Sequence, residues 1–534
     1  MTLTLEEAIG QKLMLAFEGT EPTAGILETI GTGHIGGLTL FRPLNVEGPA
    51  QVRRLTAALQ EAATRAGQPP LLIATDQEGG QLMAIAGTTP FPGNMALGAT
   101  GSVDLARRTG QALGLELAAM GVNVNYAPVC DVNVNPRNPN VGTRSFGENP
   151  AAVARFCAAM VEGLQSSGIA ATAKHFPGHG DAGSDPHYEL PVVPHDRGRL
   201  ARTAFPPFEA AVEAGTRLVM TTHVAFPSLS DGLALPSTLS RTLLGGLLRR
   251  EMGFRGVIIS DAMDMAAIEQ GSGFIVDVLA AVAAGVDLLL LLDNPAAHEA
   301  VTSALTQATR RRLLSPRRVR ASAERVLALK RWVADVRQPA LDVVGCPEHR
   351  DLAFETAARS ITLVRDEASL LPLRLSSEAR VGVVVPGSVD LTPADTSSYV
   401  SCDLAEAVRR YAPSAHEFVV PHAPADADIA SLRHQAGEYD VLIVGTTDAA
   451  GEPWQAALVE ALEGTGVPMV TVGLRLPYDL QAYPTASTYL CTYTILAPSM
   501  DALAGALWGK IPLRGRLPVS IPGLYEPGHG VLTE

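Results

Sequence analysis

Several signatures that would fix a functional class at once are missing from this chain of 534 residues. Cysteine is scarce and unpatterned. The five residues Cys130, Cys157, Cys346, Cys402 and Cys491 form no CxxC pair and leave an odd count, which fits reduced thiols in a cytoplasm. Long apolar runs are absent too: the stretch 286–292 contains Asp287 and ends at Asp293, so it is not read as a membrane span. The opening residues Met1-Thr2-Leu3-Thr4-Leu5-Glu6-Glu7 carry no basic region ahead of an apolar core, so no signal peptide is expected and a cytoplasmic location is. Positive charge is in deficit. With 41 Lys and Arg against 55 Asp and Glu, the net charge is −14, which argues against a nucleic-acid backbone as the main partner. No fixed-period repeat or low-complexity tail is visible.

What is there is an apolar fraction of 47% and a charged fraction of 18%, the balance of a globular protein with a substantial core. The length predicts more than one domain, with a monomer or weak homodimer as the expected state. Short apolar runs at 13–17, 35–40, 71–75, 122–127, 169–173, 218–222, 257–260 and 286–291 read as buried strands. Helical periodicity fills the stretches 51–65, 103–119, 150–166, 240–252, 274–284 and 296–312 between them. Eight such units predict a (β/α)8 TIM-type barrel over 1–336, closed by an Arg- and Lys-rich helix over 315–336. An irregular segment, 337–350, with Pro339, Gly345 and Pro347, reads as a linker. A smaller α/β sandwich domain is expected over 351–534, with strands at 361–364, 381–385, 441–444 and 469–472. None of these four is followed by GxGxxG or GxxxxGK[ST], which argues against a nucleotide site in that domain.

Polar residues repeatedly follow the last apolar residue of a strand: Asp76, Asp131, Lys174 with His175, His223, Asp261 and Asp293. The C-terminal rim of a barrel is where catalytic groups gather. The densest segment is Lys174-His175-Phe176-Pro177-Gly178-His179-Gly180-Asp181, which runs on to Asp185-Pro186-His187. Its prolines and glycines exclude regular structure, so its Lys, His and Asp side chains sit on a loop past a buried strand. Metal binding by His175, His179, Asp185 and His187 is a weaker reading. Pro177-Gly178 breaks the helix that would align the first two, and neither a metal nor an organic cofactor is expected.

Two features suit acid–base and covalent chemistry. Asp185 and His187, two apart, let a carboxylate meet the far imidazole nitrogen and raise its basicity. Asp261, at the end of the strand Val257-Ile258-Ile259-Ser260, is held where a nucleophile could meet a carbon, whereas Asp264 fits a capping or surface role. In a glycosidase such a His would protonate the leaving oxygen and then activate water, while Asp261 carried the sugar.

The chain resembles the family 3 glycoside hydrolases, of the two-domain bacterial β-N-acetylglucosaminidase type. The matching segments are Asp76-Gln77-Glu78-Gly79-Gly80, Gly142-Thr143-Arg144-Ser145-Phe146-Gly147, Lys174 to Gly180, Asp185-x-His187 and Ser260-Asp261-Ala262-Met263. Leu239-Ser240-Arg241, Ser360-Ile361-Thr362-Leu363-Val364, Leu474-Arg475-Leu476-Pro477-Tyr478-Asp479 and Gly515-Arg516-Leu517-Pro518-Val519 fit as later landmarks. The resemblance implies Asp261 as nucleophile, His187 as acid/base with Asp185 as its partner, and Asp76, Arg144, Lys174 and His175 as residues gripping the sugar. It implies a small carbohydrate partner and a retaining exo-β-N-acetylhexosaminidase, acting on peptidoglycan-derived or chitin-like fragments. β-Glucosidase, β-glycoside phosphorylase and a non-catalytic sugar-binding protein are the alternatives. Two positions depart from the family pattern: Ala84 stands where an Arg is usual, and Pro186 where a small polar residue is.

Overall fold

The computed structural model describes residues 3–268 and 270–533. Eight parallel strands close a barrel: β1 (Leu13–Leu15), β2 (Gly37–Thr39), β3 (Leu72–Thr75), β4 (Val124–Asn125), β5 (Ala170–Phe176), β6 (Leu218–Thr221), β7 (Val257–Ala262) and β8 (Leu288–Leu291). Neighbours pair in chain order, and β8 returns to β1 through Leu13 opposite Leu289. All eight coincide with the apolar runs read from sequence. Parallel strands are buried on both faces, so they appear as near-continuous runs of Leu, Ile, Val and Ala.

The barrel interior holds Met14, Leu72, Val124, Tyr126, Leu218, Met220, Ile259 and Leu290 as one packed cluster. A second apolar layer joins the outer strand faces to the surrounding helices. The expected helices at 51–65, 103–119 and 150–166 form as Pro49–Arg65, Val103–Ala119 and Pro150–Ser166. Two start on a proline, and the third is capped by Ser102, whose hydroxyl accepts from the Leu105 N–H. The stretch 240–252 differs: it winds as a wide π-helix over Thr242–Glu251, through the Gly245-Gly246 pair.

A six-stranded sheet follows, made of β9 (Thr362–Asp366), β10 (Val381–Pro386), β11 (His416–Val420), β12 (Val441–Thr446), β13 (Met469–Gly473) and β14 (Thr488–Cys491). Its order is β9-β14-β13-β12-β10-β11; only β9 and β14 pair antiparallel. The helix Pro347–Ser360 bridges the two regions, with Leu352 and Ala353 in the barrel-side core and Ala357 in the core under the sheet. The irregular stretch therefore gives way to helix at Pro347. Among the described residues no helix is long and apolar enough to cross a membrane.

Candidate active site

At the C-terminal ends of the strands lies a cavity of about 500 Å3. Six residues singled out from the sequence line it: Asp76 after β3, Arg144, Lys174 and His175 in β5, His187, and Asp261 in β7. The seventh, Asp185, stands behind the wall and holds His187. Its Oδ1 is 2.6 Å from His187 Nδ1 and also accepts from the His187 backbone N–H at 3.0 Å. A carboxylate facing Nδ1 places the proton there and leaves Nε2 for chemistry. Burial works to raise the Asp185 carboxyl, but its bonds to His187 outweigh that and hold it at about 2.

A single polar chain connects this pair to the rest of the wall. Asn140 Nδ2 donates to Asp185 Oδ2 at 3.1 Å, and its Oδ1 accepts from Arg144 at 2.7 Å. Arg144 grips Glu78 through two parallel bonds of 3.0 and 2.8 Å, a fork-to-carboxylate geometry. Lys174 Nζ lies 2.6 Å from both Glu78 and Asp76. Burial would raise Glu78, yet Arg144 and Lys174 win and hold its carboxyl at about 2. Asp76 goes the other way: burial pushes it up despite Lys174, helped by the nearby negative Glu78. The pair of cations is thus anchored by Glu78, while Asp76 faces the cavity.

Burial keeps His175 neutral, its pKa driven well below the ordinary value, with Arg144 and Lys174 adding to the effect. Its Nδ1 sits 2.7 Å from Asp131 Oδ2, and Asp131 Oδ1 accepts from the backbone N–H groups of His175 and His179. Asp131 therefore locks the loop at the end of β5. The buried ring of His179 also lines the cavity, and neither of its nitrogens has a hydrogen-bond partner among the described residues. Asp181 stays outside, tied to His195 and Arg199 in the loop.

Asp261 accepts from the Ala262 N–H at 2.9 Å. Burial acts to raise its carboxyl, but His175, His223 and His187 around it bring it below the usual range. His223 braces this strand end: its Nε2 lies 3.0 Å from the Ala262 carbonyl and its Nδ1 2.8 Å from the Thr238 hydroxyl. Of the other strand-end acids, Asp264 accepts from the Leu292 N–H and Asp293 from the Glu18 N–H, and neither reaches the cavity.

One wall comes from the second region. Asp390, Thr392, Ala394, Thr396 and Tyr399, past β10, all face the cavity. Thr396 is stitched to the loop after β3: its backbone and hydroxyl donate to Gln81 O at 2.8 and 3.0 Å, and its hydroxyl also accepts from the Met83 N–H. Ala84 lies next to this seam, buried and on the cavity wall. Arg42 donates to the Met83 carbonyl at 3.0 Å and lies under the Tyr399 ring at 4.6 Å, so a guanidinium from the loop after β2 flanks Ala84.

Sequence reasoning gave no role to Glu78, Asn140, His223 or the 390–399 segment. Glu78 was within reach, because it belongs to the Asp76–Gly80 motif, and His223 stood among the strand-end residues. Asn140 and Thr396 carried no local signal; their positions follow from contacts far along the chain.

Three comparisons bear on this geometry. A family model described as "Glycosyl hydrolase family 3 N terminal domain" matches residues 4–329. A solved β-N-acetylglucosaminidase of glycoside hydrolase family 3 from Paenibacillus sp. str. FPU-7 superposes with a TM-score of 0.92 at 37% identity, over 97% of this chain and 99% of that one. "Beta-hexosaminidase A" of Pseudoalteromonas piscicida is 31% identical over 97% of both chains. "Beta-N-acetylglucosaminidase/beta-glucosidase" of Cellulomonas fimi is 30% identical over 96% of this chain and 93% of its own. The strand-end acids, the motif order and the barrel thus lead to one statement: the chain belongs to glycoside hydrolase family 3.

Proposed function

We propose that this chain is a retaining, exo-acting β-N-acetylhexosaminidase that removes terminal N-acetylglucosamine from peptidoglycan-derived or chitin-like fragments. The observation that carries the mechanism is the meeting of Asp261 and His187 on one cavity, with Asp185 behind His187 at 2.6 Å. The names of the relatives similar over nearly their whole length support the choice of sugar.

In the first step an Asp261 oxygen attacks the anomeric carbon. The bond to the leaving oxygen breaks, its electron pair stays on that oxygen, and His187 Nε2 supplies the proton. In the second step water attacks the same carbon, the ester to Asp261 breaks, and the water proton passes to His187 Nε2. Asp185 stabilises the cationic imidazole when it carries both protons. Asp76, Arg144, Lys174 and His175 hold the sugar: Asp76 accepts from hydroxyls, and the two cations donate to oxygens.

The test is turnover of a chromogenic β-N-acetylglucosaminide against the matching β-glucoside, with and without phosphate. The reading requires faster release from the N-acetylated sugar and free sugar as product. A preference for the glucoside would replace it with a β-glucosidase. Accumulation of sugar 1-phosphate would replace hydrolysis with phosphorolysis, an outcome that an imidazole in place of a carboxylate acid/base favours, since it does not repel an incoming anion.

A further inference from the structure

At the opposite end of the barrel, below the N-terminal ends of the strands, a second cavity of about 630 Å3 opens. Its walls carry Lys12, Arg241, Arg312, Arg318 and Arg325 against one carboxylate, Asp287. In a chain of net charge −14 this is a concentrated exception. Asp287 is already saturated. It accepts from Arg325 at 2.7 Å, Arg249 at 2.6 Å, the Ser322 hydroxyl at 2.7 Å and the Ile258 N–H at 3.0 Å. Lys12 is also satisfied, donating to the Val286 and Asp287 carbonyls and to Ser322.

Arg241, Arg312 and Arg318 are left over. None makes an ion pair with a described carboxylate. They crowd one another instead: partial desolvation lowers the Arg318 pKa, and the charges of Arg241 and Arg325 lower it further. Arg312 has a φ of +63°, in the left-handed region where the residue after a helix is usually Gly. That strained backbone holds a bulky side chain whose guanidinium lines the cavity. The helix Pro316–Ala334 starts at the rim, with its N-cap Ser315 among the lining residues, so its positive end adds to the field. Leu239, Val282, Leu313 and Leu314 supply an apolar wall beside these cations.

The geometry points to a binding site, independent of the active site, for a small phosphorylated compound recognised through adjacent phosphoryl groups. Guanidinium forks match phosphate oxygens in pairs, and three arginines without carboxylates suit a multiply charged group better than a single anion. The cavity has the size of a small-molecule site, and its apolar wall has room for an organic substituent on the diphosphate.

Titration calorimetry on the whole protein tests this, with inorganic pyrophosphate and adenosine diphosphate as probes and sulfate as the control at equal ionic strength. Saturable binding of the probes is expected. Arg241→Ala and Arg318→Ala, both exposed and outside the Asp287 network, should each weaken it by about tenfold. Arg317→Ala removes the same charge from the same helix without lining the cavity, and should leave affinity within about twofold. Tighter binding of the nucleotide would assign the apolar wall to its organic part; equal binding would assign recognition to the diphosphate alone. The proposal is overturned if neither probe saturates, if sulfate competes as well as pyrophosphate, or if Arg317→Ala weakens binding as much as Arg318→Ala. Glycosidase turnover is not the readout, so failure here leaves the reading of the upper cavity untouched.

Discussion

The two ends of the barrel are built from the same parts and used differently. Above, Glu78 is buried between Arg144 and Lys174; below, Asp287 is buried between Arg249 and Arg325 with Lys12 close by. Each carboxylate is held below its usual range by cations that outweigh its burial. At the top, however, the network extends to groups that face a cavity: Asp76 through Lys174, and the Asp185–His187 pair through Asn140. At the bottom, the hydrogen bonds close on Asp287 and tie β7, β8, the π-helix and the last barrel helix together. A buried ion network thus closes on one carboxylate in one place and reaches an acid and an imidazole on a cavity wall in another. What distinguishes them is that the upper network reaches on to a second carboxylate and an imidazole on its cavity wall, whereas the lower one ends at Asp287 and leaves Arg241, Arg312 and Arg318 beside it on the wall.

The contrast can be broken most severely at Asp261. Asp261→Asn should lower kcat by roughly 10^4-fold while melting close to the wild type, measured by steady-state kinetics and calorimetry. His187→Ala should lose about 10^2- to 10^4-fold, and the loss should shrink for a leaving group that departs without a proton. A plot of log(kcat/KM) against leaving-group pKa, steeper for the variant than for the wild type, checks this. Asp287→Ala should do the reverse. It strands Arg249, Arg325 and Lys12, so it should cost about 3–5 kcal/mol of stability by denaturant unfolding, with little change in kcat of the folded fraction.

The smallest effect sharpens the electrostatics of the pair. Against its burial, the bonds from His187 hold the Asp185 carboxyl at about 2, below the ordinary Asp value of 3.8. Its contribution to stability is therefore full above pH 4 and lost as pH falls through about 2. Thermal melts of the wild type and Asp185→Asn should differ most near neutral pH and converge below about pH 2. A difference that widens in acid would reverse the sign.

Much of this architecture was legible because parallel barrel strands are apolar on both faces and are separated by amphipathic helices. β11 and β14 were not found. His416–Val420 is an edge strand with exposed residues, and Thr488–Cys491 is a short run interrupted by Thr and Tyr. The rim positions were readable as polar residues after strand ends, but Asp293 followed the same pattern and instead accepts from the Glu18 N–H, outside the cavity. The cavity wall at 390–399 was invisible, since it depends on Thr396 meeting Gln81 across 315 residues. Arg42 beside Ala84 was invisible for the same reason: tertiary packing brings the loop after β2 to Met83 and Tyr399.

The central claim is that Asp261 carries the sugar covalently while His187 handles the proton. Peptide mapping by mass spectrometry, after quenching His187→Ala during turnover of a β-N-acetylglucosaminide with an activated leaving group, tests it most directly. The account predicts one added N-acetylhexosaminyl group on the peptide containing Asp261, absent in the Asp261→Asn double variant. An adduct on Asp76 or another carboxylate, or an adduct that survives Asp261→Asn, would contradict it.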